Sequence, residues 1–163
     1  MRKILNPFTK IDGYNCFGCK PNSSLGLEMQ FYEDGEYIIS EWEPKIHFQG
    51  YKNVLHGGIQ TTLMDEIASW LVYIKIKTAG MTMKIETKYK KPVYVNKGKL
   101  LIKAKLIKRK KKVAIIDIGL YNSESELCSK STAHYYLFPK DYAEKELFYP
   151  QYNDFFKKSL TEE

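Results

Sequence analysis

The sequence predicts an α+β fold in which one long amphipathic helix lies against an antiparallel sheet. Three observations predict it: a helical apolar periodicity over residues 58–77, two strand-like runs around the turn Asp34-Gly35, and four more strand-length runs after residue 80. At 163 residues the chain is long enough for one domain with a sizeable core. Its 44% hydrophobic and 14% aromatic content, with 13 tyrosines, suits a sheet-rich, ordered protein.

Residues 1–26 read as an irregular lead-in, punctuated by Pro7, Gly13, Gly18, Pro21 and Gly26. Residues 27–33 and 36–43 follow as a hairpin, because Asp-Gly supplies the backbone conformation a tight turn needs. In the helix, Ile59, Leu63, Ile67, Trp70, Leu71 and Ile74 fall within one arc of about 120°, the stripe of a helix laid on a sheet. Gly80 ends the connection that follows. Residues 81–89 form a strand that stops before Lys91-Pro92, and 99–108 alternates with apolar residues at 100, 102, 104 and 106. Residues 113–121 and 126–138 complete a meander. The domain reads as residues 1–139. Residues 140–163 are an extension too aromatic for a free linker, expected to pack back on the domain or on a partner subunit.

The formal charge is +7, of which Lys108-Arg109-Lys110-Lys111-Lys112 contributes five; between two strands such a run is a solvated hairpin turn. No recognition helix or stacking motif accompanies it, so a nucleic-acid partner is not expected. No apolar run is long enough to cross a bilayer, and the N-terminus lacks the apolar stretch of a signal peptide, so the expected location is cytoplasmic, with no membrane partner. Cys16-x-x-Cys19 has metal-ligand spacing, but a closed zinc site needs four ligands. Cys128, His134, His47 and His56 are scattered singly, so no metal is expected and the pair reads as a reduced, structured entry turn.

The chemistry concentrates at His56-Gly57-Gly58 and the carboxylate Asp65 that follows it. From Gly58 to Asp65 is about 700° of helical rotation, so the two share a face within roughly 20°, while the axial separation is about 10 Å. N–H groups at the helix start polarise a carbonyl only from about 3 Å, and a general base works at a similar reach. One chain therefore does not easily supply both. Two such helices paired antiparallel across a twofold axis would bring Asp65 of one subunit beside Gly57-Gly58 of the other. The small residues Thr61, Thr62, Ala68, Ser69 and Val72 share the Asp65 face and leave room for a ligand or a second helix. Glu66 lies about 100° further round, at the margin of the apolar stripe, and ranks below Asp65 as a base.

Over residues 14–138 this pattern resembles the hotdog-fold thioesterases of the phenylacetate-pathway (PaaI-like) type. The segments that carry the resemblance are Asn15-Cys16-Phe17-Gly18-Cys19 with Gly26-Leu27, Phe48-Gln49-Gly50-Tyr51 leading to Val54-Leu55-His56-Gly57-Gly58, Thr62-Leu63-Met64-Asp65-Glu66, and Gly80-Met81-Thr82 running to Tyr89 and Lys91-Pro92. The resemblance implies a curved antiparallel sheet of about five to six strands wrapped round the helix. It also implies self-association as a dimer or tetramer and hydrolysis of an acyl-coenzyme A thioester to free acid and coenzyme A.

Gly58, helped by Gly57, would polarise the carbonyl, and Asp65 of the facing subunit would act as general base on water or as nucleophile. Thr82 would help hold the water. On the ligand side stand His56, chiefly as the residue that fixes the loop, and Gln49, although the Asn that some relatives place nearby is missing. Thr61, Thr62 and Ser69 would line the acyl pocket, and Lys90 and Lys91 would meet the coenzyme A phosphates. No metal or redox cofactor is implied. The alternative is a non-catalytic hotdog protein that binds acyl-coenzyme A or an acyl-carrier protein.

Overall fold

In the computed structural model, residues 1–156 are described. Seven strands, β1 (Arg2–Ile4), β2 (Phe31–Asp34), β3 (Tyr37–Trp42), β4 (Gly80–Tyr89), β5 (Leu100–Lys110), β6 (Val113–Tyr121) and β7 (Leu127–Leu137), form one antiparallel sheet in the order β1-β2-β3-β5-β6-β7-β4. The helix α1 (Gly57–Leu71) continues through one π-helical stretch, Val72–Ile76, and is closed by Lys77 in the left-handed conformation. A short helix α2 (Lys140–Glu146) follows the last strand. No helix among the described residues is long and apolar enough to cross a membrane.

The helix buries the stripe read from its sequence. Leu63, Ile67, Trp70, Leu71 and Ile74 are buried, whereas Ile59 at the helix start is only partly so. Against them the inward positions of the meander alternate large and small: Ile102, Ala104, Ala114, Ile116, Ile118, Leu120 and Ala133 are all fully buried. The alanines let the helix approach the middle of the sheet closely, and each buried Leu or Ile contributes about 1.5–3 kcal/mol.

The sheet has one strand more than the upper end of the expected range, because the lead-in is not wholly irregular. Arg2, Lys3 and Ile4 pair with Glu33, Tyr32 and Phe31. The expected strand at 27–33 begins only at Phe31, since Glu28 takes φ 55 and breaks the extended run. Leu27 and Met29 instead bond through their N–H groups to the carbonyls of Phe17 and Gly18, pinning the cysteine turn. The hairpin turns at Gly35, φ 56, as Asp34-Gly35 predicts. Beyond α2, Phe155 is fully buried against Phe8, Trp70 and Tyr73, and its carbonyl accepts from Leu5 N–H at 2.8 Å. Both ends of the described chain thus close over the C-terminal half of α1. The aromatic positions of the extension lie within the described residues, and 157–163 lie outside them.

Candidate active site

The helix start is held from both sides. His56 is the N-cap, and its Nδ1 accepts the Gly58 N–H at 2.9 Å. The loop before it is tied back through His56 N–H to Phe48 O, Gly50 N–H to Val54 O and Leu55 N–H to Val93 O. Tyr89, the last residue of β4, donates to Gly57 O at 2.8 Å and lies 2.7 Å from Thr61 Oγ1. A Cβ on Gly57 would already touch the Tyr89 ring at 3.4 Å. Of the first N–H groups, Gly58 is engaged by His56 and Gln60 bonds to His56 O, while those of Gly57 and Ile59 have no protein partner among the described residues. Sequence reasoning put Gly58 first as the polarising donor; in the folded chain the uncommitted donor at the cavity is Gly57.

A cavity of about 630 Å³ opens at this point, walled by His56, Gly57, Gln60, Tyr89, Lys90 and Lys91 among others. The helix N-terminus and the two lysines make it electropositive. Lys91 pairs with Glu126 at 2.6 Å, a hydrogen bond that raises the Lys91 pKa and lowers that of Glu126. Lys90 has no ion pair among the described residues. The Lys108–Lys112 run lies at the other end of the sheet, where Lys112 O meets Leu137 N–H. Tyr89 pairs with Ser129 and Gly80 with Leu137, so the two basic groups are separated by roughly 30 Å of strand.

Asp65 stands two turns along α1 and outside those walls. Its Oδ1 accepts from Thr82 Oγ1 at 2.8 Å and from Tyr135 Oη at 2.6 Å, and the same phenol is 2.8 Å from the Asp65 carbonyl. Thr82 and Tyr135 are register partners on β4 and β7, beside a bulge between Thr82 and Lys84 that aims Thr82 at the helix. Tyr135 is buried, and that burial, with the Asp65 charge beside it, raises its pKa well beyond the usual phenol range. Asp65 Oδ2 has no protein partner among the described residues.

Thr82 was expected here; Tyr135 was not singled out. Ser129, Ser131, Ala133 and Tyr135 are the inward positions of β7, and an inward tyrosine must find an acceptor for its hydroxyl. That alternation was the available clue.

The other expected residues divide. Thr61 and Thr62 lie half-buried on α1 but spend their hydroxyls within the chain, Thr61 on Tyr89 and Thr62 on Gly58 O at 2.8 Å. Ser69 is half-buried one turn beyond Asp65. Gln49 turns its Oε1 to Asn53 N–H at 2.8 Å and stabilises the loop. The axial distance from Gly57 to Asp65 is about 12 Å, so one chain keeps its carboxylate and its cavity apart. β4, which carries Thr82 and Tyr89, is an edge strand of the sheet.

Glu66, one residue on, faces away from this clamp. Burial and the neighbouring Cys16 push its carboxyl up to about 7, although Trp70 Nε1 donates to it at 3.2 Å.

Residues 52–129 match the family model described as "Thioesterase superfamily". A curated protein of Saccharolobus solfataricus, "Putative esterase SSO1253", is 26% identical over 125 residues, covering 76% of this chain and 81% of that one. Among solved structures, a thioesterase from Haemophilus influenzae superimposes with a TM-score of 0.63 at 20% identity, over 69% of this chain and 79% of that chain. A hypothetical thioesterase protein from Streptococcus pneumoniae, solved with coenzyme A, also gives 0.63 at 20% identity, over 69% and 90%. The chain thus has the hotdog fold, and residues 52–129 are similar to the thioesterase superfamily.

Proposed function

We propose that this protein hydrolyses acyl-coenzyme A thioesters as a PaaI-like enzyme, with each site shared between two subunits. The observation that carries the proposal is the Asp65 clamp: one carboxylate oxygen is fixed by Thr82 and Tyr135 while the other has no protein partner among the described residues. A carboxylate oriented in this way is poised to take a proton from water or to attack a carbonyl. The Gly57 N–H at the helix start would receive the oxyanion, and Lys90 and Lys91 at the cavity would attract the coenzyme A phosphates.

Within one chain the clamp and the cavity are about 12 Å apart. Antiparallel pairing of two copies of α1, with the β4 edges adjoining, brings the Asp65 of each to the Gly57 of the other. In the general-base route, water loses its proton to Asp65, its oxygen bonds to the acyl carbon, and the coenzyme A thiolate leaves and is protonated. In the nucleophilic route Asp65 forms a mixed anhydride that water then opens. Label found in the Asp65 carboxylate after a single turnover in ¹⁸O-labelled water identifies the second route, with water opening the anhydride at the Asp65 carbonyl.

The test of the function is release of free thiol from short, long and aromatic acyl-coenzyme A esters by the wild type and by Asp65→Asn. Turnover of at least one ester that the substitution removes is the expected result. Tight binding of esters with no thiol release from any of them would instead make the protein an acyl-thioester binder.

A further inference from the structure

The lead-in turn brings Cys16 and Cys19 against Glu66, on a side of α1 turned about 100° from the Asp65 face. The two Sγ atoms and one Glu66 oxygen all lie within 4.8 Å of one another. We propose that Cys16, Cys19 and Glu66 form a site for one thiophilic divalent cation, zinc by preference, with water as fourth ligand, which staples the lead-in to the central helix. The site is separate from the thioesterase reading and stands or falls without it.

The spacing suits the cation. With Zn–S near 2.3 Å and Zn–O near 2.0 Å, tetrahedral angles set ligand edges of about 3.5–3.8 Å. Cys16 Sγ lies 3.6 Å from Glu66 Oε1 and 3.8 Å from Oε2. Gly18 lies over the same carboxyl group so closely that a Cβ there would clash with it. The turn has room for Glu66 because this position carries no side chain. A two-cysteine motif alone lacks ligands for a closed site; the fold supplies a third from a residue 50 positions away.

The surrounding hydrogen bonds present Cys19 Sγ and Glu66 as acceptors, as a cation requires, while Cys16 Sγ–H donates to Glu66 and would give up that proton on binding. Asn6 is oriented by the Phe8 N–H on its Oδ1, so its Nδ2 donates to Tyr14 Oη at 3.1 Å. The Tyr14 proton is therefore available for Cys19 Sγ, 2.9 Å away. Trp70 Nε1 donates to Glu66. Such outer hydrogen bonds are what orient and charge-balance metal ligands. Lys20, the nearest cationic residue in sequence, is turned to Asn15 Oδ1 at 3.0 Å, and none of the ion pairs among the described residues involves Glu66. A second cavity, of about 270 Å³, is lined by Cys19, Asn6 and Trp70 beside the site. Binding would release the thiol protons to solvent, leaving two thiolates and a carboxylate on the cation.

The full chain, stripped with a chelator and checked by circular dichroism to be folded, is titrated with Co²⁺ and then Zn²⁺. The expected result is one Co²⁺ per chain, with a sulfur-to-cobalt charge-transfer band and tetrahedral ligand-field bands, displaced by one equivalent of Zn²⁺. Cys16→Ser should remove the charge-transfer intensity from one thiolate. Glu66→Gln should keep sulfur ligation but weaken zinc binding by at least about tenfold. Cys128→Ser, distant in sequence and buried in β7, should change nothing. No stoichiometric binding by the folded wild type, or cobalt bands that survive both Cys16→Ser and Cys19→Ser, would overturn the site.

Discussion

Asp65 and Glu66 are consecutive carboxylates on one helix, and the fold gives them opposite surroundings. Asp65 has two hydroxyl donors on one oxygen and, among the described residues, none on the other. Glu66 is closed in by the cysteine turn, Gly18 and Trp70, and its carboxyl is pushed up to about 7 by burial and by Cys16. Residue type and helix position are nearly the same. What separates the roles is which strand or loop meets each face: β4 and β7 supply Asp65 with donors, and the lead-in supplies Glu66 with sulfur.

Glu33 shows what cations change. It too is partly buried, and burial alone would raise its pKa, but hydrogen bonds from Lys75 and Arg2 hold it below the usual carboxylate value.

The comparison breaks most sharply if the two carboxylates are neutralised in turn. Asp65→Asn should lower turnover of the accepted ester by at least about 100-fold, or roughly 2.7 kcal/mol, with an unchanged thermal midpoint. Glu66→Gln should leave turnover within about threefold. A loss confined to Glu66→Gln would show that Asp65 is not the working carboxylate.

Tyr135→Phe tests the clamp itself. Losing one of two donors to Oδ1 should cost about tenfold in kcat while KM stays near the wild-type value, the split expected of a residue that positions the base. A change in KM alone would assign Tyr135 to substrate contact.

On the other side, Gly18→Ala forces the Glu66 carboxyl out of its place. Equilibrium unfolding should show a loss of about 1–2 kcal/mol, with thiol release from esters preserved.

The smallest effect concerns acid. Because the folded-state pKa of Glu33 is depressed below its ordinary 4.5, its contribution to stability is present above that value and is lost as pH falls through the folded-state pKa. Glu33→Gln should flatten the decline of the thermal midpoint below about pH 4.5. An unchanged slope would mean that Arg2 and Lys75 do not hold Glu33 in solution.

The helix, the Asp34-Gly35 hairpin and the meander were legible because each depends on local periodicity or turn chemistry. Asp65 was singled out by its spacing from the glycine pair and Thr82 by the resemblance, and the fold brings the two into contact. What escaped was set by contacts distant in sequence. Arg2–Ile4 becomes a strand only because the edge of β2 is free to take it. Tyr135 finds Asp65 across 70 residues, and Glu66 finds Cys16 across 50. The resemblance put Gly58 first as donor, with help from Gly57, and the capping His56 engages the Gly58 N–H.

In the shared-site arrangement we propose, turnover needs Asp65 from one subunit and the Gly57 cavity from another. Asp65→Asn and Gly57→Leu, the latter placing a side chain at the cavity mouth, can each be purified inactive, then mixed, unfolded and refolded together. With random pairing, half the dimers are mixed and each holds one intact site, so the account predicts recovery of about a quarter of wild-type turnover. Two inactive variants that stay inactive as a mixed dimer would contradict it and place the whole site within one chain.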